Sequence, residues 1–302
     1  MTVFEIACEL EYAVQGPTEF VFNVQSVSTA QQRIQHEALW IDGVPAYTEH
    51  VEPLFGSRLV RARATAGSVK LRYQSTLGVL HATADPARLH ELTLAELPVE
   101  TLTFLSPSRY CPSDRMYELA VREFGHWPPG YARVEAVCAW VHGRMRFAPG
   151  TTNWTTSALD ALDQGAGVCR DFAHVTISLL RALNVPARFV TGYDYGVDPS
   201  YGPTDFHAYV EAFLGDRWWI FDATRLAPRN GLVRIGTGRD AADCAFATLF
   251  GPTRFVGMQL DIRPLSGPVV DDPSLAVSTA RFEDGLRWRA PASRERLYQA
   301  AA

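Results

Sequence analysis

Apolar and polar residues alternate along much of the first hundred positions. Phe4-Glu5-Ile6-Ala7-Cys8-Glu9-Leu10-Glu11-Tyr12 changes character at nearly every step. Glu19 to Val27, Arg33 to Ile41 and, more weakly, Arg58 to Thr65 do the same, and Val69-Lys70-Leu71-Arg72-Tyr73 follows. Alternation puts every second side chain on one face of a strand. Short strands at close spacing, separated by Gly and Pro, predict an antiparallel sheet or sandwich over residues 1–105.

The pattern then changes to helical spacing. Pro98, Pro107 and Pro112 mark a linker, and Ser113-Asp114 offers an N-cap for a helix through Phe124. Tyr131 to Met145 carries Val134, Val137, Cys138 and Val141 on one face. Ser157 to Leu162 predicts a short helix, broken by Gly165-Ala166-Gly167. Cys169 to Leu183 predicts a longer one, with Phe172, Val175, Leu179, Leu180 and Leu183 recurring on it. Ala187–Gly192, Phe206–Leu214, Arg217–Asp222 and Arg254–Ile262 read as strands, and the last thirty or so residues as a polar, partly loose tail. The expected organisation is α+β: a β-rich unit over 1–105, then a second unit with a C-terminal extension over 106–302.

With 47% apolar and 20% charged residues, the 302-residue chain has the balance of a globular protein able to bury its own core. A net charge of −5 argues against a general nucleic-acid or anionic-membrane binder. The five cysteines are scattered and form no CxxC pair, which fits a reducing compartment better than a disulfide framework. The N-terminal run MTVFEIACELEY is too acidic for a signal peptide, and no stretch approaches a membrane span. The expected location is the cytoplasm. Nothing in the sequence bears on oligomeric state.

Candidate chemistry begins at Gly165-Ala166-Gly167-Val168-Cys169. A glycine turn delivers a cysteine to the first turn of an apolar helix. Unpaired N–H groups and the helix dipole there favour a thiolate and can also hold an oxyanion. A base is needed, and the downstream hairpin supplies one. With Gly215-Asp216 as its turn, Leu214 faces Arg217, Tyr209 faces Asp222 and His207 faces Thr224. His207 and Asp222 then share a sheet face as diagonal neighbours, roughly 7–8 Å apart in the backbone. A one-residue slip separates them. Cys169, His207 and Asp222 thus fit the roles of nucleophile, base and orienting carboxylate.

The stretches GAGVCRDFAHVTISLLRALNVPARFVTGY and FHAYVEAFLGDRWWIFDAT span about sixty residues and resemble the transglutaminase-like superfamily of papain-type cysteine enzymes. The resemblance implies a core in which a helix-borne cysteine packs against an antiparallel sheet, and a Cys169–His207–Asp222 triad. The β-rich first hundred residues look like the N-terminal sheet domain of bacterial members. Many members carry Trp two residues after the histidine, where this chain has Tyr209. Gln164 resembles the upstream side-chain oxyanion donor of papain-like enzymes, at an unusual spacing.

Other signals lead nowhere. Gly236 to Ala241 formally fits GxGxxA but lacks the following helix–strand unit. Asp194 and Asp198 are too few for calcium. His174 points to another side of its helix than Cys169, and His81 and His90 read as surface or loop residues. Trp154, Tyr193, Tyr195, Trp218 and Trp219 are candidates for a cleft wall.

The expected function is acyl transfer on peptide or side-chain amides through a thioester, hydrolytic rather than amine-transferring, with no cofactor or metal and a protein or peptide substrate. The alternatives are a crosslinking transglutaminase and a non-catalytic binding module that keeps the fold.

Overall fold

The computed structural model describes residues 1–202 and 204–281, with the short strand Tyr298–Gln299. Six strands open the chain: β1 (Thr2–Val14), β2 (Thr18–Phe22), β3 (Gln32–Asp42), β4 (Ala46–Val51), β5 (Arg58–Ala64) and β6 (Gly67–Val79). Burial along β1 alternates without a break, so Phe4, Ile6, Cys8, Leu10 and Tyr12 face the core. β4 has little alternation to reveal it, because Tyr47 is its one fully buried residue. The strand expected over Glu19–Val27 stops at Phe22. Asn23 then donates its backbone N–H to the Phe246 carbonyl.

The second unit contains α1 (Tyr117–Phe124), α2 (Tyr131–Arg144), α3 (Ala158–Gln164) and α4 (Cys169–Ala182). Its strands are β7 (Ala187–Asp194), β8 (His207–Leu214), β9 (Arg217–Phe221) and β10 (Leu232–Gly238), and α5 (Ala241–Cys244) follows. The sheet runs β10-β7-β8-β9, with Ala280–Arg281 on the outer edge. Every residue of β7 and β8 is buried, as in a sheet covered on both faces.

α4 is the centre of this unit. Every residue from Asp171 to Ala182 is buried, so the helix is enclosed all round rather than along one stripe. Its buried hydroxyls are satisfied locally: Thr176 and Ser178 donate to the Phe172 and His174 carbonyls at 2.8 and 2.7 Å. On the far face of the sheet Glu211 is fully buried, within 2.6 Å of Arg188 and also paired with Arg234. Burying that carboxylate is tolerable only because both guanidinium groups accompany it.

The chain then returns to the first unit. β11 (Ala247–Phe250) pairs with β2, and β12 (Thr253–Ser266) pairs along the whole of β1. The sandwich is therefore two sheets ordered β12-β1-β6-β3 and β11-β2-β5-β4. Residues 247–266 belong to it and not to the second unit, which corrects the expected assignment of 106–302. The physical reason is that β1 and β2 would otherwise each leave an open edge.

Part of the expected loose tail is also ordered. Ala276–Ser278 pairs with Ala82–Ala84, and Ala280–Arg281 with β9. Most of the rest of that tail lies outside the described residues.

The two units share their interior. Tyr193, Phe206, Val233 and Ile235 pack into the sandwich core beside Phe4 and Phe22. The Tyr193 hydroxyl donates to the Val24 carbonyl at 2.6 Å, and Gln32 exchanges two hydrogen bonds with the backbone of Arg234. Tyr193 and Phe206 each sit one residue from a polar group of the candidate site, so the sandwich braces the strand ends that carry it.

Candidate active site

Cys169 is the first residue of α4, and the loop before it is tightly built. Gly165 closes α3 in the left-handed conformation, with φ of 63°. Ala166–Gly167 pairs in parallel with Arg146–Phe147. The Asp171 carboxylate accepts from the Val168 N–H at 2.9 Å and from the Thr152 hydroxyl at 2.7 Å. A Cβ on Gly167 would stand 2.7 Å from the Asp171 Cβ, so only glycine allows this approach. Helix start, loop and cap together fix the cysteine.

Cys169 differs from the other four cysteines in exposure. Burial pushes the thiols of Cys8, Cys111 and Cys244 up to about 12, and that of Cys138 well above its ordinary value. Cys169 is only half-buried. Its thiol donates to the Phe206 carbonyl at 3.8 Å and also lies within hydrogen-bonding reach of the His207 ring.

The hairpin register is the expected one. Leu214 pairs with Arg217, and pairing continues to Val210 with Phe221. His207 Nε2 lies 2.8 Å from Asp222 Oδ2. The other Asp222 oxygen accepts from the Thr224 N–H and hydroxyl at 2.9 and 2.7 Å. Burial alone would drive the His207 ring toward neutrality. The charge and hydrogen bond of Asp222, aided by Cys169 and Asp194, outweigh it and hold the ring well above its ordinary range. Burial likewise acts to raise Asp222, but the charged ring and the Thr224 donors overcome it, and the carboxyl titrates low.

One neighbour of the ring went unassigned in the sequence. Asp194 Oδ2 lies 3.2 Å from His207 Nδ1. Burial, then repulsion from Asp222 and Asp205, raise the Asp194 carboxyl despite the attraction of the ring. Sheet parity could have found it. Gly192 pairs with His207, so Asp194 is a diagonal neighbour on the same face.

The remaining candidates fall elsewhere. Gln164 sits at the exposed end of α3, and its amide donates to the Thr151 carbonyl at 3.0 Å. His174 is fully buried, stacked on Tyr110 with the tilted Phe189 ring beside it, and accepts the Ala241 N–H through Nε2. Tyr209 is buried with its ring roughly parallel to His207. Tyr193, Trp218 and Trp219 are core residues, Tyr195 packs on Phe4, and Trp154 stands exposed. Among the described residues no group of three or more His, Cys, Asp or Glu side chains is placed to hold a metal ion.

A half-exposed cysteine at the start of a buried helix faces an antiparallel sheet that carries a carboxylate-bound histidine. That arrangement defines a papain-like core. The family model of the transglutaminase-like superfamily matches residues 120–223, a span that holds Cys169, His207 and Asp222. A solved structure from Cytophaga hutchinsonii, described as a "putative cysteine protease", matches with a TM-score of 0.87 at 38% identity, over 92% of this chain and 97% of that one. An uncharacterized protein of Mycobacterium leprae is 36% identical over 147 residues, 47% of this chain and 52% of that protein. One from Mycobacterium bovis is 27% identical over 142 residues, 43% of this chain and 45% of that protein. The chain spans about half the length of these curated relatives. The chain belongs to the transglutaminase-like superfamily. Among the described residues no helix is long and apolar enough to cross a membrane.

Proposed function

We propose that the protein is a cysteine-dependent acyl-transfer enzyme acting on amides of a protein or peptide, with water as the usual acceptor. The observation that carries this is the convergence of Cys169, His207 and Asp222 from α4, β8 and the end of β9. Cys169 Sγ attacks the amide carbon and forms a C–S bond. The oxyanion is held at the start of α4, where the Val168 carbonyl takes the Asp171 and Phe172 N–H groups and the backbone N–H groups of Cys169 and Arg170 are left to serve as donors. Gln164, whose amide is tied to the Thr151 carbonyl, is given no part.

Nε2 of His207 is taken by Asp222, so Nδ1 is the nitrogen that delivers a proton to the leaving amine as the C–N bond breaks. In the second half His207 takes a proton from water, and the resulting hydroxide equivalent attacks the thioester. The C–S bond breaks, a carboxylic acid is released, and the thiolate is left beside the charged ring. An amine in place of water would give crosslinking by the same steps. Hydrolysis is favoured because Cys169 is half-buried rather than enclosed and water is always available as the acceptor. The description carried by the Cytophaga hutchinsonii structure points to the same class. The cytoplasm remains the proposed location.

The test is alkylation of Cys169 by iodoacetamide against pH, with His207→Ala and Asp222→Asn as controls. Fast labelling well below pH 8 that collapses in His207→Ala supports a working Cys–His pair. An ordinary thiol profile, unchanged by both substitutions, rules the enzyme reading out and favours a binding module. Peptide amides with and without a primary amine then separate hydrolysis from crosslinking.

A further inference from the structure

His207 has two ring nitrogens and two carboxylate neighbours. Asp222 Oδ2 meets Nε2 at 2.8 Å, and Asp194 Oδ2 lies 3.2 Å from Nδ1. A Cys–His pair needs only the first contact, because with Nε2 taken by Asp222 it is Nδ1 that is left to serve the thiol. Here that nitrogen has a second neighbour. Asp194 is the last residue of β7, 7% exposed, and Tyr193 beside it is anchored to the sandwich. Gly192, paired with His207, places no side chain between the ring and the carboxylate.

We propose that Asp194 is a positioning residue that holds the Nδ1–H of the charged His207 ring, keeping that proton beside the thiol until the leaving nitrogen takes it. The inference rests on the Cys169–His207 reading of the site. In the free enzyme two anionic oxygens bracket the imidazolium, and opposite charges so close favour the charged ring. During acylation Sγ bonds to the carbonyl carbon, the C–N bond breaks, and the Nδ1 proton goes to the departing nitrogen. Asp194 then loses its charged partner but neither gains nor loses a proton. When the thioester is hydrolysed the ring takes a proton from water and the bracket re-forms.

The groups that face the ring are Asp222 beyond β9, Asp194 on β7, Cys169 on α4 and Asp205 just before β8. Burial and repulsion by Asp222 and Asp205 raise the Asp194 carboxyl, whereas Asp222 titrates low. On acidification Asp194 is therefore the first of the two to release the ring.

The test is an NMR titration of the full-length protein carrying ¹⁵N-labelled histidine, in wild type, Asp194→Asn and Asp194→Glu, with His207→Ala to assign the resonance. Asp194→Asn is expected to lower the His207 pKa by roughly one pH unit, in the range an adjacent opposite charge produces. The alkaline limb of the Cys169 alkylation profile moves down with it, and Asp194→Glu restores both. A purely structural Asp194 would lower Tm or alkylation rate and leave the titration in place, and that result overturns the proposal. If Cys169 alkylation ignores His207→Ala, the underlying site reading fails. If it collapses in His207→Ala while Asp194→Asn leaves the profile unmoved, only the role of Asp194 fails.

Discussion

His207 Nε2 lies 2.8 Å from Asp222 Oδ2 across a hairpin that pairs neither residue directly with the other. They meet because the two-residue turn fixes a register in which they are diagonal on one face. Asp222 is held in turn by two donors from Thr224, so its carboxylate points at the ring and stays ionised.

Asp222→Asn keeps the size of the side chain and removes its charge. The imidazolium loses its strongest partner, the His207 pKa falls, and less thiolate forms at mildly acidic pH. The expected alkylation rate of Cys169 at pH 6 is at least about tenfold lower, the equivalent of one pKa unit or more. Thr224→Val removes one donor to Asp222 and should cost less than about tenfold, since the backbone N–H remains. Equal rates in wild type and Asp222→Asn would sink the role given to this carboxylate.

The four buried cysteines supply an internal control. Cys8, Cys111, Cys138 and Cys244 are buried, and burial raises their thiols. Brief iodoacetamide treatment of native protein at pH 7 should therefore modify Cys169 alone, as read by peptide mass spectrometry. Treatment in denaturant should modify all five. Native labelling of Cys111 or Cys138 at a rate comparable to Cys169 would contradict the packing around α4.

Much of this site was legible in the sequence because two rules of regular structure apply to it. The glycine break before Phe172, Val175 and Leu179 located the helix start at Cys169, and strand parity brought His207 to Asp222. The same parity places Asp194 beside His207, but that step needs the pairing of β7 with β8. A loop of a dozen residues joins those strands, and no short turn fixes their register. The return of β11 and β12 to the sandwich was illegible for a related reason. Thr253–Ser266 reads as a strand anywhere, and its partner β1 lies some 240 residues earlier in the chain, as the Thr253 hydroxyl bond to Ala13 shows. Gln164 shows what proximity in sequence leaves open. A sequence position near the cysteine suggested a donor, whereas the side chain bonds the Thr151 carbonyl.

Gly167→Ala tests how closely the cysteine depends on its loop. The added Cβ would lie 2.7 Å from Asp171 Cβ and 2.9 Å from its Oδ2. Either Asp171 moves, releasing the Val168 N–H and the Thr152 hydroxyl, or the loop shifts and carries Cys169 with it. Overpacking of this kind costs about 1–3 kcal/mol. The expected result is a lower unfolding midpoint and slower Cys169 alkylation at acidic pH. Gly257→Ala, where an added Cβ meets nothing within 4 Å, should leave alkylation as in wild type. If Gly167→Ala alkylates normally, the loop is not what holds the thiol.

His174 gives the protein an acid-sensitive core. Burial, then the nearby Arg170, push its ring down to about 3, so it stays neutral in the folded state. In the unfolded chain the ring titrates near ~6.5. Between these values the unfolded state binds one more proton, so stability falls as pH falls, by about 1.4 kcal/mol per pH unit. His81, pushed down to about 4 chiefly by burial, acts in the same direction. His207 does not contribute to this acid slope. Its raised pKa gives stability that is full below the unfolded value and is lost as pH rises through the folded one. Asp222, held low, keeps its contribution until pH falls through its depressed value, below this window. His174→Gln should reduce stability overall, because the stack on Tyr110 and the ring contact with Phe189 are lost. It should also flatten the slope, so that the loss between pH 6.5 and pH 5 shrinks by about 2 kcal/mol. Urea denaturation of both proteins at the two pH values measures this directly. An equal acid loss in the variant would show that His174 is not a source of the slope.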